Sequence, residues 1–147
     1  MLVLIIMISA LLSIESCRAL VMTKVDKPEI KIIPDTMVTE GDTGTLQCHV
    51  TSKTRPVIQW FKKMDDALLT PPTAFDLNGQ LFTVLKSGQM EEGPGNVYSS
   101  PLVLESVTEA DEGLYACLAS NRFGFSQQFT NLYITSVLST TPTSKLV

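Results

Sequence analysis

Along most of this chain apolar and polar residues alternate with a period of two, the spacing that sends successive side chains to opposite faces of an extended strand. The run Thr43–Val50 puts Leu46, Cys48 and Val50 on one face and His49 on the other. Val57–Lys62 aligns Ile58 with Trp60, and Leu102–Val107 turns Leu102 and Leu104 inward, with Val107 closing the core. From Gly113 to about Ser120, Tyr115 and Cys117 share the inner face, and a final strand past the loop Asn121–Phe125 runs to Thr135 with Leu132 and Ile134 inward. An opening strand, Pro28–Ile33, is β-branched and is broken by Pro34, which has no N–H to give a ladder. Between positions 64 and 95 the pattern loosens. There Pro71-Pro72 interrupts, Asn78-Gly79 predicts a turn, and Gly79–Lys86 is one strand candidate, followed by a mobile connection carrying Glu91 and Glu92.

Strands at this spacing, joined by turns such as Glu40-Gly41-Asp42, predict an all-β chain. Three residues narrow the architecture. Trp60 lies twelve positions past Cys48, and Tyr115 stands two before Cys117 in Asp111-Glu112-Gly113-Leu114-Tyr115-Ala116-Cys117. This is the pattern of an immunoglobulin-like (I-set) two-sheet Greek-key sandwich, in which an inter-sheet disulfide packs on a buried indole and a tyrosine hydroxyl bonds back to upstream backbone. Asp111 and Gly113 supply the turn before that strand, one by capping amides and the other by accepting positive φ. Cys48 and Cys117 are the expected disulfide, and closing a loop of about 70 residues is worth on the order of 4 kcal/mol.

The first fourteen residues are nearly all apolar, and Cys17 and Ala19 are small residues placed for cleavage after Ala19. Residues 1–19 are therefore expected to be a signal peptide, although no Lys or Arg precedes the apolar run. That run is too short to span a bilayer, which takes about 20 residues. Cleavage would leave an even pair of cysteines, as suits a secreted or extracellular chain. About 115 to 125 residues then remain, room for one domain at 27–135, with a Ser/Thr-rich tail or linker at 136–147.

The net charge of -4 argues against nucleic acid as a partner. Catalysis needs a base beside a nucleophile, or a ligand cluster. The sole imidazole, His49, faces outward next to an inward cysteine, and both remaining cysteines are committed. Asp65-Asp66, Glu91-Glu92 and the Glu109, Asp111, Glu112 group lack the spacing of a calcium loop, and there is no phosphate loop or N-glycosylation sequon. No enzymatic activity, metal or cofactor is expected.

Two surface features remain. Opposite the inward positions stand Phe61, Leu114, Ala116, Leu118, Phe129 and Tyr133, an apolar outer face and a candidate partner face, including for a homodimer. Lys53, Arg55, Lys62 and Lys63 form a basic group that would suit heparan sulfate.

Leu46-Gln47-Cys48, Arg55-Pro56-Val57-Ile58-Gln59-Trp60-Phe61-Lys62, Phe82-Thr83-Val84-Leu85-Lys86 and Gly113–Asn121 with Gly124-Phe125-Ser126 together resemble the third, membrane-proximal immunoglobulin domain of fibroblast growth factor receptors. The kinase-less, receptor-like branch is especially similar around Arg-Pro-Val-Ile-Gln-Trp. The resemblance covers about Lys27 to Thr135 and implies that Val84, Leu85, Lys86, Ser87, Asn121, Phe123 and Phe125 are candidate ligand contacts. Three functions follow as expectations: a growth-factor-binding or trapping module, a homophilic adhesion module, or the truncated ectodomain of a receptor tyrosine kinase. The receptors' preceding domain, interdomain linker and kinase have no counterpart in these 147 residues, and 64–80 departs from the receptor pattern.

Overall fold

The computed structural model describes residues 26–64, 74–77 and 79–136. The expected leader, Pro71-Pro72 and nearly all of the 136–147 tail lie outside them. Among the described residues, ten strands form two sheets. One holds β1 (Glu29–Ile30), β3 (Gly44–Thr51), β8 (Val97–Leu104) and β7 (Glu91–Gly93), in that order. The other runs β2 (Thr36–Thr39), β10 (Gly124–Thr135), β9 (Gly113–Asn121), β4 (Val57–Lys63), β6 (Gln80–Leu85), β5 (Ala74–Leu77). Every pairing is antiparallel except β2 with β10.

The alternation read from the sequence is the alternation of burial: Leu46, Cys48 and Val50 are buried on β3 while His49 is exposed. Between the sheets Trp60 is fully enclosed and stands directly opposite Cys117 in the β4–β9 ladder. Its indole N–H donates to the Ser100 carbonyl at 3.1 Å, so the one polar atom of a large apolar side chain is satisfied in the other sheet. Cys48 and Cys117 form the disulfide across the interface, with Cα atoms 6.3 Å apart.

Below this core the chain turns into β9. The Asp111 carboxylate accepts from the Thr108 N–H at 2.9 Å, Gly113 holds φ 138°, and the Tyr115 hydroxyl donates to the Asp111 carbonyl at 2.6 Å. Burial first, and the Asp111 charge second, push the Tyr115 phenol above its usual value near 10.

Three expectations are corrected. The opening strand is only the two residues of β1, ending at Ile30 before Pro34 is reached; beyond Pro34 the chain joins the other sheet as β2, a strand the pattern did not announce. The inner strand expected at Leu102–Val107 begins at Val97 and ends at Leu104, with Tyr98, Ser100 and Leu102 buried in alternation. The supposedly mobile connection through Glu91 and Glu92 is the edge strand β7, closed onto β8 by a turn in which Gly95 and Asn96 take φ 73° and 60°.

The β5–β6 hairpin closes through Gly79, while Asn78 of the expected turn lies outside the described residues: Leu77 pairs with Gln80, Gly79 has φ 78°, and its N–H donates to Asp76 Oδ1 at 2.9 Å. Phe82 of this hairpin meets Phe129 of β10 with ring centroids 6.1 Å apart. In sheet order β4 and β9 lie between their strands, three spacings or about 14 Å in a flat sheet. The hairpin therefore curls over the outer face, where Phe75 stacks on Phe61 at 5.6 Å and Leu77 and Phe82 are buried.

Two outcomes test this arrangement. Phe82→Ala should lower unfolding stability by about 3–5 kcal/mol in urea titration, against about 0.5 kcal/mol or less for Val103→Ala, which is exposed on the other sheet. Because the folded Tyr115 phenol binds its proton more tightly than the unfolded one, its contribution to stability should be level below pH 10 and fall as pH rises above it. Denaturant titrations at stepped alkaline pH should show this extra slope in the wild type and a weaker one in Tyr115→Phe, a variant about 1 kcal/mol less stable near neutrality.

Candidate functional site

Cross-strand register sorts the outer face of the larger sheet into rows. Val57, Ser120 and Phe125 stand in line nearest the β9–β10 turn, Gln59, Leu118 and Gln127 form the next row, and Phe61, Ala116 and Phe129 the third. The curled hairpin covers the third row: Phe61 is 5% exposed and Ala116 fully buried, with Leu114, Leu118 and Phe129 packed partly against them. The open apolar face expected from Phe61, Leu114, Leu118, Phe129 and Tyr133 is thus largely a second small core, because the β5–β6 hairpin supplies the cover. Tyr133, 44% exposed, remains outside it, paired with the exposed Met37 of β2.

Where the hairpin stops short of the first two rows it leaves a groove of ≈ 470 Å³, lined by Phe75, Asp76 and Leu77 on one side and Leu118, Ser120, Phe125 and Gln127 on the other. Phe125 is 61% exposed at its margin, and Gln127 Oε1 is buried without a hydrogen-bond partner.

The seven candidate contacts divide. Val84 (46% exposed), Lys86, Phe123 (42%) and Phe125 present their side chains to solvent. Leu85 packs against the main core, the Ser87 hydroxyl is buried and unpartnered, and the Asn121 carboxamide is engaged by the chain itself. The seven do not share one level of the sandwich: Val84 and Leu85 are aligned with Phe61 and Trp60 at mid-sheet, whereas Asn121 begins the turn that carries Phe123 at the β9–β10 end. Arg122 sits over the Phe123 ring at 4.6 Å, a contact the sequence pattern did not suggest. Phe75, which stacks on Phe61 and lines the groove, was also missed, since its short strand follows a stretch without clear alternation.

The four basic residues do not form one patch. Lys53 and Arg55 precede β4, and Arg55 faces Glu92 at 3.9 Å. Lys62 and Lys63 end that strand, six residues past Val57 and so roughly 20 Å away. Lys62 donates to the Ala110 carbonyl and lies 5.6 Å over the Tyr115 ring. A strand with sequence-adjacent lysines at one end and a basic loop at the other separates charges that look clustered in the sequence.

Fibroblast growth factor receptor-like 1 of Gallus gallus is 36% identical over 93 residues, 63% of this chain and 19% of the receptor-like protein. Its Homo sapiens counterpart is also 36% identical over 93 residues, 18% of its length. The chain thus matches less than a fifth of these relatives. Among solved structures, the I-band fragment I67-I69 from titin superposes with a TM-score of 0.52 at 22% identity, covering 75% of this chain and 33% of the fragment, a likeness of fold alone. Residues 27–121 match the immunoglobulin domain sequence family, and this chain, with its cross-linked two-sheet sandwich, belongs to that family.

Proposed function

We propose that this chain is a non-catalytic, extracellular binding module that holds a protein ligand of the growth-factor type at the β9–β10 end of its larger sheet. The observation that carries this reading is the gathering of exposed large apolar side chains there. Phe75 and Phe125 line the groove, Val57 stands in the same row as Phe125, and Phe123 lies in the turn just before it, while Val84 is exposed further along the same face, in register with Phe61. Lone monomers do not usually leave several such groups contiguous unless they meet a partner. The disulfide fits an oxidising, extracellular setting, and the resemblance to a growth factor receptor-like protein supplies the ligand class. In this reading Phe123 and Phe125 are the anchors, Val84 contributes from β6 and Lys86 from just beyond it, and Leu85, Ser87 and Asn121 shape the site from within.

Purified chain at micromolar concentration should bind at least one fibroblast growth factor in surface plasmon resonance across a ligand panel. Phe123→Ala or Lys86→Ala should weaken that binding about tenfold or more, with unchanged melting behaviour. Absence of binding across the panel would sink the proposal.

A further inference from the structure

Asn121 uses both ends of its side-chain amide within the chain. Its Nδ2 donates to the Asp26 carbonyl at 2.8 Å and to Ser52 Oγ at 3.2 Å, while its Oδ1 accepts the Phe123 N–H at 2.8 Å. Ser52 is buried, donates from Oγ to the Thr54 carbonyl at 2.6 Å, and gives its own N–H to the Asn96 carbonyl at 3.0 Å. Through these two residues the segment at Asp26, the β3–β4 loop, the β7–β8 turn and the β9–β10 turn form one hydrogen-bonded unit. The lead-in chain also lies directly against the turn. A Cβ built on Gly124, at φ 145°, would stand 3.4 Å from Lys27 Cβ, and the Ser126 hydroxyl donates to the Pro28 carbonyl.

A carboxamide is planar, with its donor nitrogen and acceptor oxygen fixed on one rigid group. A shift of the Asp26 carbonyl that draws Nδ2 along with it, against the longer bond to Ser52 Oγ, would swing Oδ1 away from the Phe123 N–H. We propose that Asn121 is a positioning residue, not a ligand contact: it couples the placement of the chain at Asp26 to the β9–β10 turn. Whatever holds the segment before Pro28 then sets how Phe123 and Phe125 are presented. The inference rests on the reading of that turn as part of the binding end, and it is tested without any ligand.

Hydrogen exchange of the Phe123 amide would be followed in two variants, one beginning at Pro28 and one with Gly-Gly inserted between Lys27 and Pro28. In both, the Phe123 N–H should exchange about tenfold faster, as for one released hydrogen bond, while the Tyr115 and Cys117 amides within β9 keep their rates. In an Asn121→Ala background neither change should accelerate Phe123 further. Unchanged Phe123 exchange in a folded variant, or effects that simply multiply in the Asn121→Ala background, would overturn the coupling. The insertion variant retains every native residue, so the test stands if the shortened chain does not fold. Growth-factor binding plays no part in the readout, so the two proposals fail separately.

Discussion

The packing of Trp60 on the Cys48–Cys117 bridge is the contact on which the rest of this sandwich depends. Trp60 and Cys117 are paired in one sheet, while Cys48 and the Ser100 carbonyl that accepts the indole N–H belong to adjacent strands of the other. One ring therefore fixes separation and register between sheets at once, and the hydrogen bond removes the penalty of burying its nitrogen. Every other inward residue on β3, β8, β9 and β10 follows from that registration, because a strand's side chains can change faces only by slipping one residue.

The core was legible because its signals are local and periodic. Cys48, Trp60, Tyr115 and Cys117 lie on strands whose inner faces read directly from alternation, and the tyrosine hydroxyl bonds back four residues as its position implies. The split at Pro34 was half legible. A proline marks where a ladder must stop, but nothing nearby says that Thr36–Thr39 will pair in parallel with a strand nearly a hundred residues away. The β7–β8 hairpin hid behind glycines that look like slack in a sequence but supply the positive φ a tight turn requires.

The candidate site was harder to read, for a physical reason. Parity says which face a residue occupies, not what else arrives there. Phe61 and Ala116 were correctly placed outside the larger sheet, yet their burial comes from Phe75, Leu77 and Phe82, contributed by a hairpin whose curl is a tertiary event. Asn121 likewise has the spacing of a turn residue, while its partners at Asp26 and Ser52 lie 95 and 69 positions away.

The second cluster gives the domain two tiers of cohesion. The disulfide-braced interior joins both sheets, whereas the outer cluster is held by side-chain packing beneath one hairpin, with no covalent tie in it. Small, peripheral units of this kind open with lower free energy than the global fold. The hairpin is thus the natural sub-globally opening unit of this molecule, and its detachment, carrying Phe75, Leu77 and Phe82 with it, would bare Phe61, Ala116 and Phe129 on the larger sheet while the cross-linked interior stays closed.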